Sequence, residues 1–299
     1  MKDFDVAIVG GSYAGMSAAL QLARGRRQIL VLDSGQRRNR FASHAHGVLG
    51  QDGRPPADIA ADGRTQLLQY RNVTWIEAAV ESAEQNGEKF RVSTRQGDSY
   101  SAARLILATG VRDGLPDIPG LEERWGSAVF HCPYCHGYEL EQAALGVLAV
   151  GEISMHHALM LPDWGPTTFF INESFVPSAE QLRQLAQRNV TVERTPVSHI
   201  AGERAAVHLQ DGRVVDLAGL FVATQLQHPV PLAQQLGCAF EETPMGAVIQ
   251  TDAMQATSVA NVFACGDAAR AAGNVTFAMA DGAMAGAAAH RSLMFEGLM

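Results

Sequence analysis

The chain has 299 residues, 47% of them apolar and 18% charged, and 23 Lys and Arg against 31 Asp and Glu give a formal net charge of -8. That length and composition allow a globular protein of two domains, and the acidic balance argues against nucleic acid or an anionic membrane as a partner. No basic segment precedes an apolar one at the start, and no apolar run nears the roughly 20 residues of a membrane helix, so a cytoplasmic protein without a membrane span is expected.

Residues 4–32 read strand, glycine turn, helix, strand. Val6-Ala7-Ile8-Val9 is a buried strand, and the turn Gly10-Gly11-Ser12-Tyr13-Ala14-Gly15 leads into a helix with Met16, Ala19, Leu20 and Leu22 on its apolar side. A strand feeding a helix N-terminus in this way suits a pyrophosphate. Gly10 permits the tight turn, Gly15 allows close packing of helix on strand, and Ser12 takes the place of the usual middle glycine. Asp33, ending the next strand beside Ser34, is placed to accept from an adenosine ribose hydroxyl.

Further along, residues 70–95 and 194–215 alternate as β-meanders, with turns at Asn86-Gly87 and Asp211-Gly212; Val80 in the first is a further candidate cofactor contact. Residues 104–120 form an apolar strand ending in Ala108-Thr109-Gly110 and a Pro- and Gly-rich link. At residue 145 the strand–turn–helix pattern restarts, which suggests a second α/β unit inserted in the first. Residues 261–298 read strand, Cys265-Gly266-Asp267, loop and final helix. Gly266 and Asp267 suit the ribityl chain and phosphate of a flavin, and Asn274-Val275-Thr276 opens a helix whose N–H groups would face negative charge on the reduced ring. The three landmarks together point to FAD.

His131-Cys132-Pro133-Tyr134-Cys135-His136-Gly137-Tyr138-Glu139 carries the chemistry. Two cysteines at this spacing can close a small disulfide at the start of a helix, where a thiol pKa falls, and His136 could move the proton that thiol–disulfide exchange requires. Zinc is the competing use, with His131 or His136 as a third ligand. A structural zinc site wants four ligands, no second C-x-x-C exists, and no metal is expected. Cys238 and Cys265 read as buried structural residues, Trp125 and Trp164 as packing, and His156-His157 as decoration at a helix start.

These motifs, in this order, resemble the low-molecular-weight thioredoxin reductase family over nearly the whole chain. The resemblance implies an α/β fold of two Rossmann-like domains, the second inserted in the first. The FAD-binding domain would be 1–115 and 232–299, and 116–231 the inserted unit carrying the cysteine pair. It also implies a homodimer, Cys135 as the flavin-proximal sulfur and Cys132 as the interchange thiol. Three departures matter. The inserted turn Gly151-Glu152-Ile153-Ser154-Met155-His156 lacks the middle glycine, and Glu173 stands where the NADPH 2′-phosphate would need arginines, so productive NADPH binding is not expected. His136 replaces an aspartate. The third departure is the loop Ser43-His44-Ala45-His46-Gly47-Val48-Leu49-Gly50-Gln51-Asp52-Gly53 beside Arg38-Asn39-Arg40; Arg40 from the latter, and His46 and Gly47 from the loop, are expected cofactor contacts. With these departures the chain is similar to the thioredoxin reductase-like dithiol oxidases of the gliotoxin, holomycin and romidepsin pathways. The expected activity is oxidation of a small-molecule dithiol to a disulfide, electrons passing through FAD to oxygen or another acceptor. A reductase acting on a thioredoxin-like protein or small disulfide, and a flavin redox sensor without turnover, are the alternatives.

Overall fold

The computed structural model describes residues 3–297 and divides the chain into two compact units. The first comprises Met1–Arg40, Pro56–Arg112 and Leu226–Met299; the second comprises Phe41–Pro55 and Asp113–Gln225. Each is a Rossmann-like α/β assembly. Residues 41–55, expected in the first domain, group instead with the second. The segment folds on itself through an antiparallel bridge of Ala45 with Arg54, and Phe41 packs so closely on Gly126 that a Cβ there would sit 2.6 Å from Phe41 Cβ.

In the first unit the strand Asp3–Val9 is central. Ile29–Asp33 and then Val73–Glu77 run parallel on one side of it, and Ser99–Leu107 runs parallel on the other. The long strand Ser99–Leu107 has two neighbours on its far edge: Val262–Ala264 lies parallel to its second half, and Lys89–Thr94 lies antiparallel to its first half, continued by Val80–Asn86. The expected meander is therefore Val80–Asn86, Lys89–Thr94 and Ser99–Leu107, while Val73–Glu77 belongs to the parallel set. Strands buried on both faces read as continuous apolar runs, as Ile29-Leu30-Val31-Leu32 does, each 0–1% exposed. The helix Tyr13–Arg24 lies against the closing helix Val275–Met294. Backbones touch there: a Cβ on Gly282 would stand 2.0 Å from the Ala14 carbonyl oxygen, and one on Gly286 2.5 Å from that of Ala18.

The second unit repeats the plan. Its five parallel strands lie in the order Thr191–Glu193, Thr167–Phe170, Leu145–Leu148, Gly219–Val222, Val129–Phe130, and Val197–Ala201, Ala205–Leu209 and Val214–Leu217 form an antiparallel meander. Phe130, Leu145, Val147, Phe169 and Phe221 fill one side of the sheet with Trp164 against them. Trp125 packs on a second cluster around Leu121, Val129 and Leu220. Among the described residues no helix is long and apolar enough to cross a membrane.

Candidate functional site

The strand Val129–Phe130 delivers the chain to the cysteine pair. Cys132 caps the single helical turn Pro133–His136, and a disulfide joins it to Cys135 with Cα atoms 5.3 Å apart. Pro133 is buried at the first helical position, where its missing N–H costs nothing. The turn is clamped from below: Gly137 donates to the Pro133 carbonyl at 2.7 Å, and a Cβ on Gly137 would meet Trp164 at 2.6 Å. Tyr134 sits edge-on to Trp164 and, like Tyr138, is exposed. Trp164 is thus packing, as expected, but packing directly beneath the redox turn.

His136 stacks on Phe130 with ring centroids 4.3 Å apart. Burial first, and the nearby His46 second, lower its pKa to about 4. The imidazole is therefore neutral at physiological pH, with a lone pair able to take a proton. His46 has its Nε2 3.4 Å from Glu139 Oε1 and its Nδ1 3.6 Å from Asp52 Oδ1. Gly47, in the left-handed region, donates its N–H to the same Asp52 oxygen at 2.8 Å. His46 and Gly47, expected as cofactor contacts, thus lie in the unit that carries the redox pair.

The expected dinucleotide site lies in the first unit. Gly10 has φ +103°, and a Cβ on it would be 2.1 Å from the Ala108 carbonyl oxygen; one on Gly15 would be 1.8 Å from the Gly10 oxygen. Only glycine allows this approach of turn, helix and the Ala108-Thr109-Gly110 strand end. Ser12 precedes the helix as its N-cap without a side-chain capping bond, and Ala14 packs against Gly266. Tyr13 is buried and donates to the Pro56 carbonyl at 3.0 Å, while Asn39 donates to its hydroxyl at 3.2 Å. Asp33 accepts from Gly11 N–H at 3.1 Å. Thr109 donates weakly to the neighbouring Gly110 carbonyl at 3.5 Å, and Gly110 has φ +61°.

Beside the turn opens a cavity of about 690 Å³, walled by Gly11, Asp33, Ser34, Arg37, Arg64, Trp75 and Ala79 among others. Arg37 Nε and Trp75 Nε1 are shielded and have no hydrogen-bond partner. Such donors suit an acceptor-rich nucleotide, so the residues present fit the dinucleotide end of FAD. Val80 does not line this cavity; it is 4% exposed in the core, and Ala78 and Ala79 form the wall. Arg40 is exposed and donates to the Arg37 carbonyl. Asp267 accepts from Arg38 at 2.8 Å. Asn274 caps the closing helix, accepting from Phe277 N–H at 2.7 Å, with Val275 and Thr276 in its first turn.

Several contributors carried no sequence signal. Arg37, Arg64 and Trp75 belong to no motif, and Arg38 stood beside the Arg40 that was singled out. His157 is also more than helix decoration. Its ring hydrogen-bonds the His131 backbone, and burial and then His156 hold its pKa at about 4. Cys238 and Cys265 are buried free thiols, and burial raises both pKa values. No group of three or more metal-ligating side chains gathers among the described residues.

A family model, pyridine nucleotide-disulphide oxidoreductase, matches residues 4–285. A thioredoxin reductase, tcpT, from Claviceps purpurea is 32% identical, covering 98% of this chain and 95% of its own. The crystal structure of an oxidoreductase from Agrobacterium tumefaciens is 56% identical and superposes with TM-score 0.96 over 98% of this chain and 99% of that one. That of HlmI is 34% identical, with TM-score 0.93 over 99% and 94%.

Proposed function

Because the chain belongs to the pyridine nucleotide-disulphide oxidoreductase family, we propose that it oxidises a small-molecule dithiol to a disulfide at Cys132–Cys135. It is an FAD-dependent thiol–disulfide oxidoreductase of the thioredoxin reductase-like kind, and the resemblance to dithiol oxidases favours this direction. The observation that carries the reading is His136: a neutral imidazole, half-buried and stacked on Phe130, directly follows the second cysteine.

A substrate thiolate attacks Cys132, the protein disulfide breaks, and the electron pair leaves on Cys135. His136 takes the proton of the second substrate thiol, whose sulfur then attacks the mixed disulfide and displaces Cys132. The substrate leaves as a disulfide and Cys132 and Cys135 are left as thiolates, the proton of the second substrate thiol on His136 and that of the first already given to water. Bound FAD would supply the two-electron acceptor that lets the protein disulfide re-form, with oxygen or another acceptor as the final oxidant. Gly10, Gly15, Asp33, Arg37 and Asp267 would hold it.

In the second unit Ile153 stands at the middle position of the Gly151 turn and Glu173 is exposed after the following strand, which argues against NADPH as donor. Relatives named thioredoxin reductase keep the opposite direction as the second reading. A homodimer in the cytoplasm completes the proposal. The test is anaerobic stopped-flow: a dithiol should bleach the flavin at a catalytic rate, and NADPH should not. Rapid bleaching by NADPH alone, with dithiols inert, would overturn the reading.

A further inference from the structure

A dithiol that reaches the disulfide first meets the surface around it, and that surface carries a pattern that exchange chemistry alone does not need. The backbone stays helical from Pro133 to Leu140, because Gly137, between the turn Pro133–His136 and the 3-10 turn Tyr138–Leu140, has φ -67° and ψ -33°. Tyr134 and Tyr138 are therefore neighbours at i and i+4 on one face of this segment. Tyr134 stands between the two cysteines and is 75% exposed; Tyr138, just beyond Cys135, is 85% exposed. The remaining tyrosines, Tyr13, Tyr70 and Tyr100, are buried or half-buried.

Tyr134 is held in place from beneath. Its ring meets Trp164 edge-on, with centroids 5.2 Å apart and planes at 89°, and Trp164 is pinned under Gly137 and against the apolar cluster of its side of the sheet. A preformed aromatic surface loses little freedom when a ligand lands on it, and an exposed phenol presents an apolar face with a polar tip. The charge nearby is one-sided. Residues 125–182 contain no Lys or Arg, whereas Glu139 and Glu141 follow the disulfide and are exposed. His136 is neutral at physiological pH. His46, 3.4 Å from Glu139, offsets that carboxylate only when protonated, and Arg54, on the same loop as His46, donates to Gln51 at 2.6 Å.

We propose that Tyr134, Tyr138, Glu139 and Glu141 select the substrate, a small dithiol with a flat, aromatic body and no anionic group. The inference rests on the oxidase reading and names its substrate class. The aromatic body lies on the tyrosine faces as one sulfur reaches Cys132, and the two carboxylates repel a substrate carboxylate. Repulsion between exposed charges is modest and falls with salt, a dependence that a purely structural role would not produce. Exchange at the cysteines proceeds without these four side chains; they decide which dithiol arrives.

Anaerobic flavin reduction of the FAD-loaded protein, read as a second-order rate constant, tests this with two matched pairs of dithiols. Benzene-1,2-dimethanethiol and dithiothreitol close disulfide rings of the same size and differ in the aromatic body; dihydrolipoamide and dihydrolipoate differ only in the carboxylate. The wild type should favour the aromatic dithiol by about tenfold. It should favour the amide by about fivefold at low salt, and this second gap should close as salt rises. Tyr134→Ser and Tyr138→Ser should each cut the aromatic preference roughly fivefold while the dithiothreitol rate holds, and Tyr134→Phe should keep it. Glu139→Gln combined with Glu141→Gln should remove the amide preference. Val176→Ser, at an apolar residue 89% exposed elsewhere in the unit, should match the wild type. Equal wild-type rates within either pair, or ratios unchanged in the tyrosine or glutamate variants, would overturn the inference. So would faster bleaching by a reduced thioredoxin than by any of these dithiols. Failure of every dithiol to bleach the wild-type flavin would strike the oxidase reading instead.

Discussion

His136 lies flat on Phe130, the two rings 21° from parallel and their centroids 4.3 Å apart. The apolar ring screens the imidazole from water and disfavours its charged form, so the base beside Cys135 is ready at any pH above about 4. Two consequences are chemical and two concern the scaffold.

Replacing Cys132 or Cys135 with Ser should lower dithiol turnover by at least about 1,000-fold, because exchange needs both sulfurs. FAD content, read from the flavin absorbance of the purified variants, should stay at the wild-type level. Substantial turnover in either variant would remove the pair from the mechanism.

Arg38 is the partner of Asp267 at 2.8 Å, with both side chains largely buried. Arg38→Met should leave the carboxylate without this charge-assisted bond, which is worth about 1.5–3 kcal/mol. Asp267 would then be less well held for the flavin. The expected outcome is a lower FAD occupancy and a dissociation constant raised about tenfold or more, measured by fluorescence of released FAD. Unchanged FAD affinity would leave the pair with no part in cofactor binding.

Gly282 brings the closing helix onto the first helix, since a Cβ would fall 2.0 Å from the Ala14 carbonyl oxygen. Gly282→Ala should destabilise the protein by about 1–3 kcal/mol through overpacking, read as a lower denaturation midpoint. Gly212→Ala is a useful contrast. Its Cβ would meet open space, and only its φ of +87° opposes the change; the loss there should be the smaller.

His136 and His157 both have pKa values lowered to about 4, against an ordinary value near 6.5. The unfolded chain therefore binds protons that the folded chain refuses. Stability from these groups is fully present above about pH 6.5 and is lost as pH falls toward 4. Urea unfolding of the wild type at intervals across this window should show the decline. His157→Leu should reduce the proton uptake on unfolding by about one. An identical pH dependence in that variant would mean that His157 is not held neutral.

What the sequence by itself determined was local or periodic. The strand before Gly10, the positive φ required there, the cysteine pair and the restart at residue 145 are written within short spans, where a glycine, a proline or an alternation has one physical meaning. Boundaries were less secure. Val73–Glu77 looked like part of a meander because alternation does not reveal whether a partner strand runs parallel or antiparallel.

Tertiary structure alone decided which side chains meet. Arg38 and Asp267 are 229 positions apart, and nothing in either segment announces the other. The loop 41–55 follows strands of the first unit in sequence, yet its own closure and the contact of Phe41 with Gly126 place it in the second. That placement sets His46 between Asp52 and Glu139 and within electrostatic reach of His136. The pKa of a histidine depends on what buries it and which charges face it, and both are fixed by packing between segments distant in the chain.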